Sequence, residues 1–551
     1  MTRCLPLWRE LLSGDVDEDF IIKGISLGFD IVVSDNISKV KPVVCKNYKS
    51  VTDPGVKLKV EKQLIYEIKA GRYMFTTQKP LIVSALGAIP KPDSDDLRLI
   101  HDCSRPQGNS VNTFADPKSF QFNTIDNACS LIHRGYYMAK IDLKAAYRSV
   151  GINPNHYPLT GLQWTFEGDE NPSYLVDTRL MFGASQAVEI FHRISNAVVR
   201  MAQKRLPQAK IVNYLDDFLI IAPTYQECNL VMESLLDLVQ SLGFEVSWPK
   251  VVKPTTIITF LGIQINSEQL KLFIPKSKLH EIKGKVRKWL LKRKATKREL
   301  QSLAGSIAWA AKCVKAVRPI LRNIIDLFKS LRNANHNIRL PAVLKSDVRY
   351  LLQWCEIFNG VDFGQTRASR PVTTCYTDAS LIAAGAVYGS DFLYADWETD
   401  LPCCSNASIF VKEVAAVYLA FKKWAHLWAD HLLILNIDNK GTLYALQKGL
   451  SSHKLANTFI HNVLWAAALY NIDIQPVYIP SAENVIADGL SRLYEFDYFL
   501  STFCHLVDRG INPYGNSFNL LDHMSIHAFC SLLTRYVARG AGIRCPYPQI
   551  S

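Results

Sequence analysis

The sequence predicts a multidomain chain of mixed α/β (α+β) class, and three observations carry that expectation. Length is the first: 551 residues, 48% of them apolar and 21% charged, are enough for three or four cores at on the order of 100–200 residues per domain. The second is texture. Residues 76–265 and 371–496 each alternate short β-rich runs with longer helical stretches, a pattern of strands interleaved with helices rather than of a sandwich. The third is a basic, helical block at 271–340 that separates the two tracts.

Composition excludes several classes. A chain this apolar repays its ordering entropy and is not disordered. Its glycines are scattered without a three-residue period, so it is not collagenous. No apolar run approaches the roughly 18 residues of a bilayer-spanning helix, so no membrane association is expected. The opening MTRCLPLWRELLSGDVDEDF turns acidic too early for a signal peptide. The expectation is an intracellular protein, cytoplasmic and/or nuclear and not secreted. Thirteen cysteines without a CxxC, and one adjacent pair, Cys403-Cys404, point to reduced thiols rather than to a zinc ribbon or a disulfide framework.

In chain order, residues 1–75 are mixed in texture, with turn signals at SGD, DPG and AGR, and are expected as an N-terminal extension. Residues 76–270 hold the first α/β tract. Between 271 and 340 stand nineteen Lys and Arg against Glu281, Glu299 and Asp326, a surplus of sixteen in a chain whose net charge is +13. The rest of the chain is therefore slightly acidic, and the block reads as a polyanion-binding element rather than a solvated face. Within it Leu279, Ile282, Val286 and Leu290 recur at helical spacing, with Lys283, Lys285, Arg287, Lys288 and Lys292 between them; Leu300, Leu303, Ile307 and Ala311 mark a second helix. Residues 341–370 are expected as a connection ending in the linker GVDFGQTRASRP, residues 371–496 as the second α/β domain, and 497–551 as an extension of unassigned role.

Acids stand where apolar strands should carry none. YYMAKIDLKAAY reads as a strand ending in Asp142, and IVNYLDDFLII as a hairpin whose tight turn is Asp216-Asp217. Carboxylates at strand ends are costly unless something positive neutralises them, and a divalent metal pair does so in two-metal phosphoryl transfer. One Asp-Asp pair alone is more often a simple hairpin turn. The second acid-terminated strand, 74 residues upstream, argues for the site.

With Tyr214-Leu215-Asp216-Asp217 and Asp142 in place, the chain resembles the reverse transcriptases, over about residues 60–495. The resemblance implies a right-hand polymerase of fingers, ferredoxin-like palm and helical thumb, with two Mg²⁺ (or Mn²⁺) held by Asp142, Leu143, Asp216 and Asp217. It implies that Tyr147 is the aromatic gate that excludes a 2′-hydroxyl, and that Lys91 and Arg98, on the fingers strands IPKPDSDDLRLIHD, bind the incoming triphosphate. Phe182 and Gly183 in LMFGASQAVEIF are then placed near the templating pair, with Met181 where the family carries a proline. Lys250 in SWPKVV matches the lysine that protonates pyrophosphate, and FLGIQI resembles the primer-grip hairpin. Tyr214 belongs to the same substrate-binding set, while Lys283, Arg287, Lys288 and Lys292 would track the duplex backbone.

A second set of acids follows. Asp378 lies on a strand in CYTDASLIAAGAVYG, Glu413 in the first turns of a helix, Asp438 at the end of the strand in LLILNIDNKGTLYAL, and Asp488 near a helix start where it is also a capping candidate. In that order they resemble the D-E-D-D constellation of the ribonuclease H fold, which implies a second two-metal site hydrolysing RNA paired to DNA. The family's His-bearing loop is replaced by IPSAEN. The wording SALGAIPKP, KIDLKAAYRSVGI and TKRELQSLAGSIAWAA is most similar to DIRS-like retroelements, with gypsy-like elements second. The implied partners are an RNA template, a DNA primer, RNA-DNA hybrid, dNTPs and other retroelement proteins. The competing expectation is a domesticated, catalytically silent nucleic-acid-binding protein, which would keep the basic block and lose the acids.

Overall fold

The computed structural model describes residues 1–90, 97–311, 313–329, 331–358, 360–364, 370–389 and 391–492, and the chain divides into two compact units, Met1–Leu270 and Lys271–Ser551.

The first unit opens with helices α1 (Leu5–Leu12) and α2 (Glu18–Leu27). Residues 1–75 are not an appendage. Trp8, Leu12, Ile21, Ile25, Phe29 and Ile31 are buried in the same cluster as the strands of the central sheet, and the Trp8 indole donates to the Leu242 carbonyl at 3.1 Å. Each of these helices buries a single i, i+4 pair, too short a stripe to show as a period. After strand β1 (Val43–Val44) and the single turn α3 (Lys49–Thr52) comes α4 (Pro54–Lys69). Asp53 caps α4 by accepting from the Gly55 N–H at 3.0 Å, with Pro54 at the first position, where its missing N–H costs nothing.

Strands β2 (Tyr73–Thr76), β3 (Ile82–Val83), β4 (Leu86–Pro90) and β5 (Leu97–His101) follow. β4 and β5 form an antiparallel ribbon in the register Leu86↔His101 to Pro90↔Leu97. Beyond the short helix α5 (Ile125–Cys129) lies the long strand β6 (Tyr137–Lys144), then β7 (Gly161–Trp164) and β8 (Ser173–Asp177). One five-stranded sheet has the order β1-β3-β7-β8-β2.

The central sheet is built from β6, β9 (Lys210–Tyr214), β10 (Asp217–Ala222) and β11 (Glu245–Val246), in the order β11-β6-β10-β9, with β12 (Val252–Thr255) also pairing β6. Helices α6 (Ser185–Arg205) and α7 (Tyr225–Ser241) pack on it. Phe218 to Ala222 are all buried, so this strand reads as a continuous apolar run. The unit ends in the hairpin of β13 (Ile257–Phe260) and β14 (Ile263–Asn266), whose two turn residues, Leu261 and Gly262, both have positive φ, 50° and 80°. That is the backbone a two-residue hairpin matched to strand twist requires.

In the second unit β15 (Lys271–Phe273) leads into α8 (Lys276–Leu291), which buries Ile282, Val286 and Trp289. Strand β16 (Lys294–Thr296) follows, then α9 (Lys297–Ala310), opened by a capping box between Thr296 and Glu299. Leu300, Leu303, Ile307 and Ala311 are all buried, as the spacing predicts. Helix α10 (Arg318–Lys329) precedes β17 (Asn337–Arg339), which pairs antiparallel with β16, so the polar passage after α10 is partly a strand. Where a connection was expected, α11 (Ala342–Ile357) buries Leu344, Val348, Leu351 and Cys355 at helical spacing. Strand β18 (Val361–Asp362) pairs β15.

The last sheet has the order β21-β20-β19-β22-β23, with β19 (Val372–Ala379), β20 (Ala383–Tyr388), β21 (Asp391–Asp396), β22 (Leu432–Ile437) and β23 (Asp473–Tyr478). β20 is antiparallel to both its neighbours, while β22 runs parallel to β19 and β23. Helix α12 (Ile409–Trp424), buried along most of its length, packs against it; α13 (Lys440–Lys448), α14 (Lys454–Leu469) and α15 (Val485–Ser491) complete the described chain. Among the described residues no helix is long and apolar enough to cross a membrane.

Candidate active sites

The first site forms on β6 and β10. Asp142 on β6 stands directly opposite Asp217 on β10 in the antiparallel register. Tyr214 pairs with Asp217 across the β9–β10 hairpin, so the turn is Leu215-Asp216 and not Asp216-Asp217. Leu215 takes the left-handed φ of 54° and Asp216 does not. β6 likewise runs two residues past Asp142.

A polar network underneath holds that turn. The Ser195 hydroxyl on α6 donates to the Leu215 carbonyl at 2.6 Å, and the Asn213 amide donates to Ser195 Oγ at 2.9 Å and to Asn196 Oδ1 at 2.8 Å. The Leu143 N–H donates to the Asp216 carbonyl at 3.0 Å, tying β6 to the turn. Ser195 and Asn213 are buried, and nothing in the sequence around them marks this role.

Three acids this close repel one another. Burial lifts Asp216 above the usual carboxylate range, and Asp142 adds to the rise. Asp217 is pushed up to about 6, first by burial, with Lys140 at 3.5 Å opposing and Asp216 and Asp142 reinforcing it. Asp217 Oδ1 is buried without a hydrogen-bond partner. Lys250, exposed, donates to both Asp142 oxygens at 3.1 Å.

Tyr147 sits on the short turn Ala146–Ser149, half-buried, with its ring 5.4 Å from Phe182 and 5.2 Å from Phe191. Burial raises its hydroxyl pKa and the Asp216 charge adds to the effect. Arg98 is exposed on β5, its guanidinium 5.0 Å over the Phe182 ring. Tyr214 packs against Phe122 at 4.8 Å. At Gly183, φ is +121° and a Cβ would lie 1.9 Å from the His101 carbonyl oxygen, so only glycine fits. Lys91 lies outside the described residues.

The second site is more tightly drawn. Asp378 on β19, Glu413 on α12 and Asp438 just past β22 bring carboxylate oxygens within 4.8 Å of one another. The Ser491 hydroxyl donates to Asp378 Oδ2 at 2.6 Å and the Ser481 hydroxyl to Asp438 Oδ2 at 2.8 Å. Burial pushes Asp378 up to about 7, and Asp438 and Asp488 reinforce the shift; Glu413 rises well above its ordinary value for the same reasons. Glu413 Oε2 is buried with no partner. An all-oxygen set in which Asp378 and Glu413 are raised and a Glu413 oxygen is orphaned fits a hard divalent cation.

Asp488 stands outside this group of three. It is not a cap: Asn484 holds the N-cap position of α15 and donates instead to the Thr377 carbonyl at 2.9 Å, while Asp488 accepts from Arg492 at 2.9 Å. Its charge still reaches Asp378 and Glu413.

Of the basic residues expected on nucleic acid, Arg287 pairs with Glu356 at 3.4 Å and Lys292, the C-cap of α8, pairs with Glu299. Lys288 is exposed and Lys283 half-exposed on the same helix.

These observations define a right-hand polymerase fold with an acid cluster on its central sheet. The fold is similar to the foamy viral protease-reverse transcriptase in complex with dsDNA, with a TM-score of 0.51 at 16% identity, covering 86% of this chain and 97% of that one. The same viral protein in complex with RNA/DNA hybrid gives a TM-score of 0.51 at 18% identity over 86% and 62% of the two chains.

Residues 89–265 match the reverse transcriptase (RNA-dependent DNA polymerase) family. The Gag-Pol polyprotein of gibbon ape leukemia virus is 27% identical over 174 residues, 32% of this chain and 10% of that protein. The transposon Tf2-3 polyprotein of Schizosaccharomyces pombe is 22% identical over 472 residues, 80% of this chain and 31% of that one. The chain thus spans a third or less of the length of these relatives.

Proposed function

We propose that this chain is the RNA-directed DNA polymerase of a retroelement and that it also hydrolyses the RNA strand of RNA-DNA hybrids. The carrying observation is the register that sets Asp142 opposite Asp217, beside Asp216, inside the segment that matches the reverse transcriptase family. In this reading Asp142, Leu143, Asp216 and Asp217 form one metal site, and Asp378, Glu413, Asp438 and Asp488 the other. Two Mg²⁺ or Mn²⁺ ions at each would supply charge neutralisation and Lewis acidity.

The chain's own residues do the rest. Tyr147 limits the space beside the sugar, with Phe182 behind it. Arg98 and Lys91 carry charge for the triphosphate. Lys250 holds the Asp142 carboxylate, and its exposed ammonium is the group able to give a proton to the leaving pyrophosphate. Ser491 and Ser481 orient the acids of the second site.

The template, primer and hybrid are assigned as partners because the similar viral enzyme is known in complex with dsDNA and with RNA/DNA hybrid, and dNTPs follow from the reaction. The DIRS-like assignment rests on the sequence wording alone. Against the silent, domesticated alternative stands the presence of all seven acids, three of them within 4.8 Å. The test is primer extension on poly(rA)/oligo(dT): Asp216→Asn should abolish it, and near-normal extension would refute the assignment.

A further inference from the structure

Tyr147 is followed in the same turn by Arg148, which is buried at the centre of a charge cluster. Its Nη1 donates to both oxygens of Asp177 on β8, at 2.9 and 2.7 Å, and its Nε and Nη2 both donate to Glu67 Oε2 on α4, at 3.1 and 3.0 Å. Nη1 also reaches the Leu180 carbonyl at 3.4 Å, and the guanidinium lies 5.1 Å from the Tyr73 ring centroid.

The cluster continues to the other side of the gate. His101 Nε2 is 3.5 Å from Asp177 and 3.0 Å from the Tyr73 hydroxyl. Burial holds His101 neutral, its pKa pushed down to about 3, so Arg148 is the cation that answers Asp177. The His101 backbone N–H donates to the Phe182 carbonyl at 3.0 Å, and the Phe182 ring packs on Tyr147. Tyr147 is therefore tied to the buried cluster through the backbone it shares with Arg148, and the main chain of its ring neighbour Phe182 is tied to that of His101. A planar guanidinium that donates from three nitrogens to two carboxylates fixes direction as well as charge, which an ammonium does not. Packing alone would not need it, because buried ion pairs are often replaceable by apolar groups without loss of stability.

We propose that Arg148 is a positioning residue that sets how strictly Tyr147 rejects ribonucleotides. The proposal rests on the reading of Tyr147 as the sugar gate and extends it to α4 and β8, which carry Glu67 and Asp177. It predicts that loosening the clamp widens the space beside the sugar, so that a ribonucleotide is admitted while deoxynucleotide addition continues.

The experiment compares kcat/KM for a dNTP and its matching rNTP at one primer terminus, in the wild type, Tyr147→Val, Arg148→Lys and Glu67→Gln. The ratio of the two values does not depend on the fraction of enzyme that is folded. Arg148→Lys should lower discrimination about tenfold, chiefly through a smaller KM for the rNTP, since small misplacements of a positioned group have effects of that order or more. Glu67→Gln, which leaves the Asp177 pair intact, should move the ratio less and in the same direction, and it carries the test if Arg148→Lys does not fold. If Tyr147→Val changes the ratio and both clamp variants leave it untouched, the proposal is overturned and the gate stands. If Tyr147→Val leaves the ratio unchanged, the gate reading fails and the proposal falls with it.

Discussion

At the first site lysines of the chain itself stand beside the acids, Lys250 at Asp142 and Lys140 at Asp217, whereas Asp378, Glu413 and Asp438 are gathered into one cluster in which the Ser491 and Ser481 hydroxyls donate to Asp378 and Asp438. That difference makes the second site the more sensitive to pH when metal is removed. Asp378 has a folded-state pKa of about 7, above the ordinary carboxylate value, and Glu413 is raised as well. A raised carboxylate binds more protons folded than unfolded, so its stabilising contribution is present at low pH and is lost as pH rises toward 7. In EDTA, Tm should therefore fall between pH 5 and pH 8, and Asp378→Asn should flatten that fall. Added Mg²⁺ should raise Tm in the wild type and less in the variant. Thermal melts across pH check this, and a wild-type Tm that is flat in EDTA would contradict it.

At the scale of elements, the acids were legible because they interrupt apolar strands, and the two helices of the basic block because Ile282, Val286, Leu300, Leu303 and Ile307 keep a helical period. The one-residue error in the β9–β10 turn has a local cause. Leu215 occupies a left-handed conformation that costs a non-glycine residue about 1 kcal/mol, and the Ser195 hydroxyl that fixes it comes from a distant helix. The N-terminal helices were illegible as core because each buries only a turn's worth of apolar side chains. Arg287 and Lys292 could not be known from sequence to spend their charge on Glu356 and Glu299. That leaves Lys283 and Lys288 as the residues of the named set on α8 with no ion pair described. Neutralising both should reduce the slope of log affinity for hybrid against log salt by about two, one for each phosphate no longer neutralised. Binding titrations at several salt concentrations measure it, and an unchanged slope would return α8 to a merely solvated face.

For the whole molecule, the second unit joins the basic helices to the final sheet more closely than a linker would allow. Asn457 on α14 donates to the Pro319 carbonyl and to Asn323 Oδ1 at 3.4 and 3.3 Å, and Asn323 in turn donates to buried Asp347 on α11 at 2.8 Å. Arg318 reaches the Lys448 carbonyl at 3.1 Å. Truncation at residue 364 would strip Asn457 and the Lys448 carbonyl from α10, and His461, which lies 3.7 Å from Asp347, from α11. The truncated protein should lose solubility or several degrees of Tm, while point variants of the acids do not. A truncated protein that melts like the full chain would show these bonds to be dispensable.

The claim of two separate acid sites has a direct measurement: primer extension and hybrid hydrolysis assayed together on single preparations of wild type, Asp216→Asn, Asp378→Asn and Glu413→Gln. The account predicts a double dissociation. Asp216→Asn should lose extension and keep hydrolysis, whereas Asp378→Asn and Glu413→Gln should keep extension and leave the RNA strand uncut. Hydrolysis that persists in both second-site variants, or that disappears in Asp216→Asn, would contradict it.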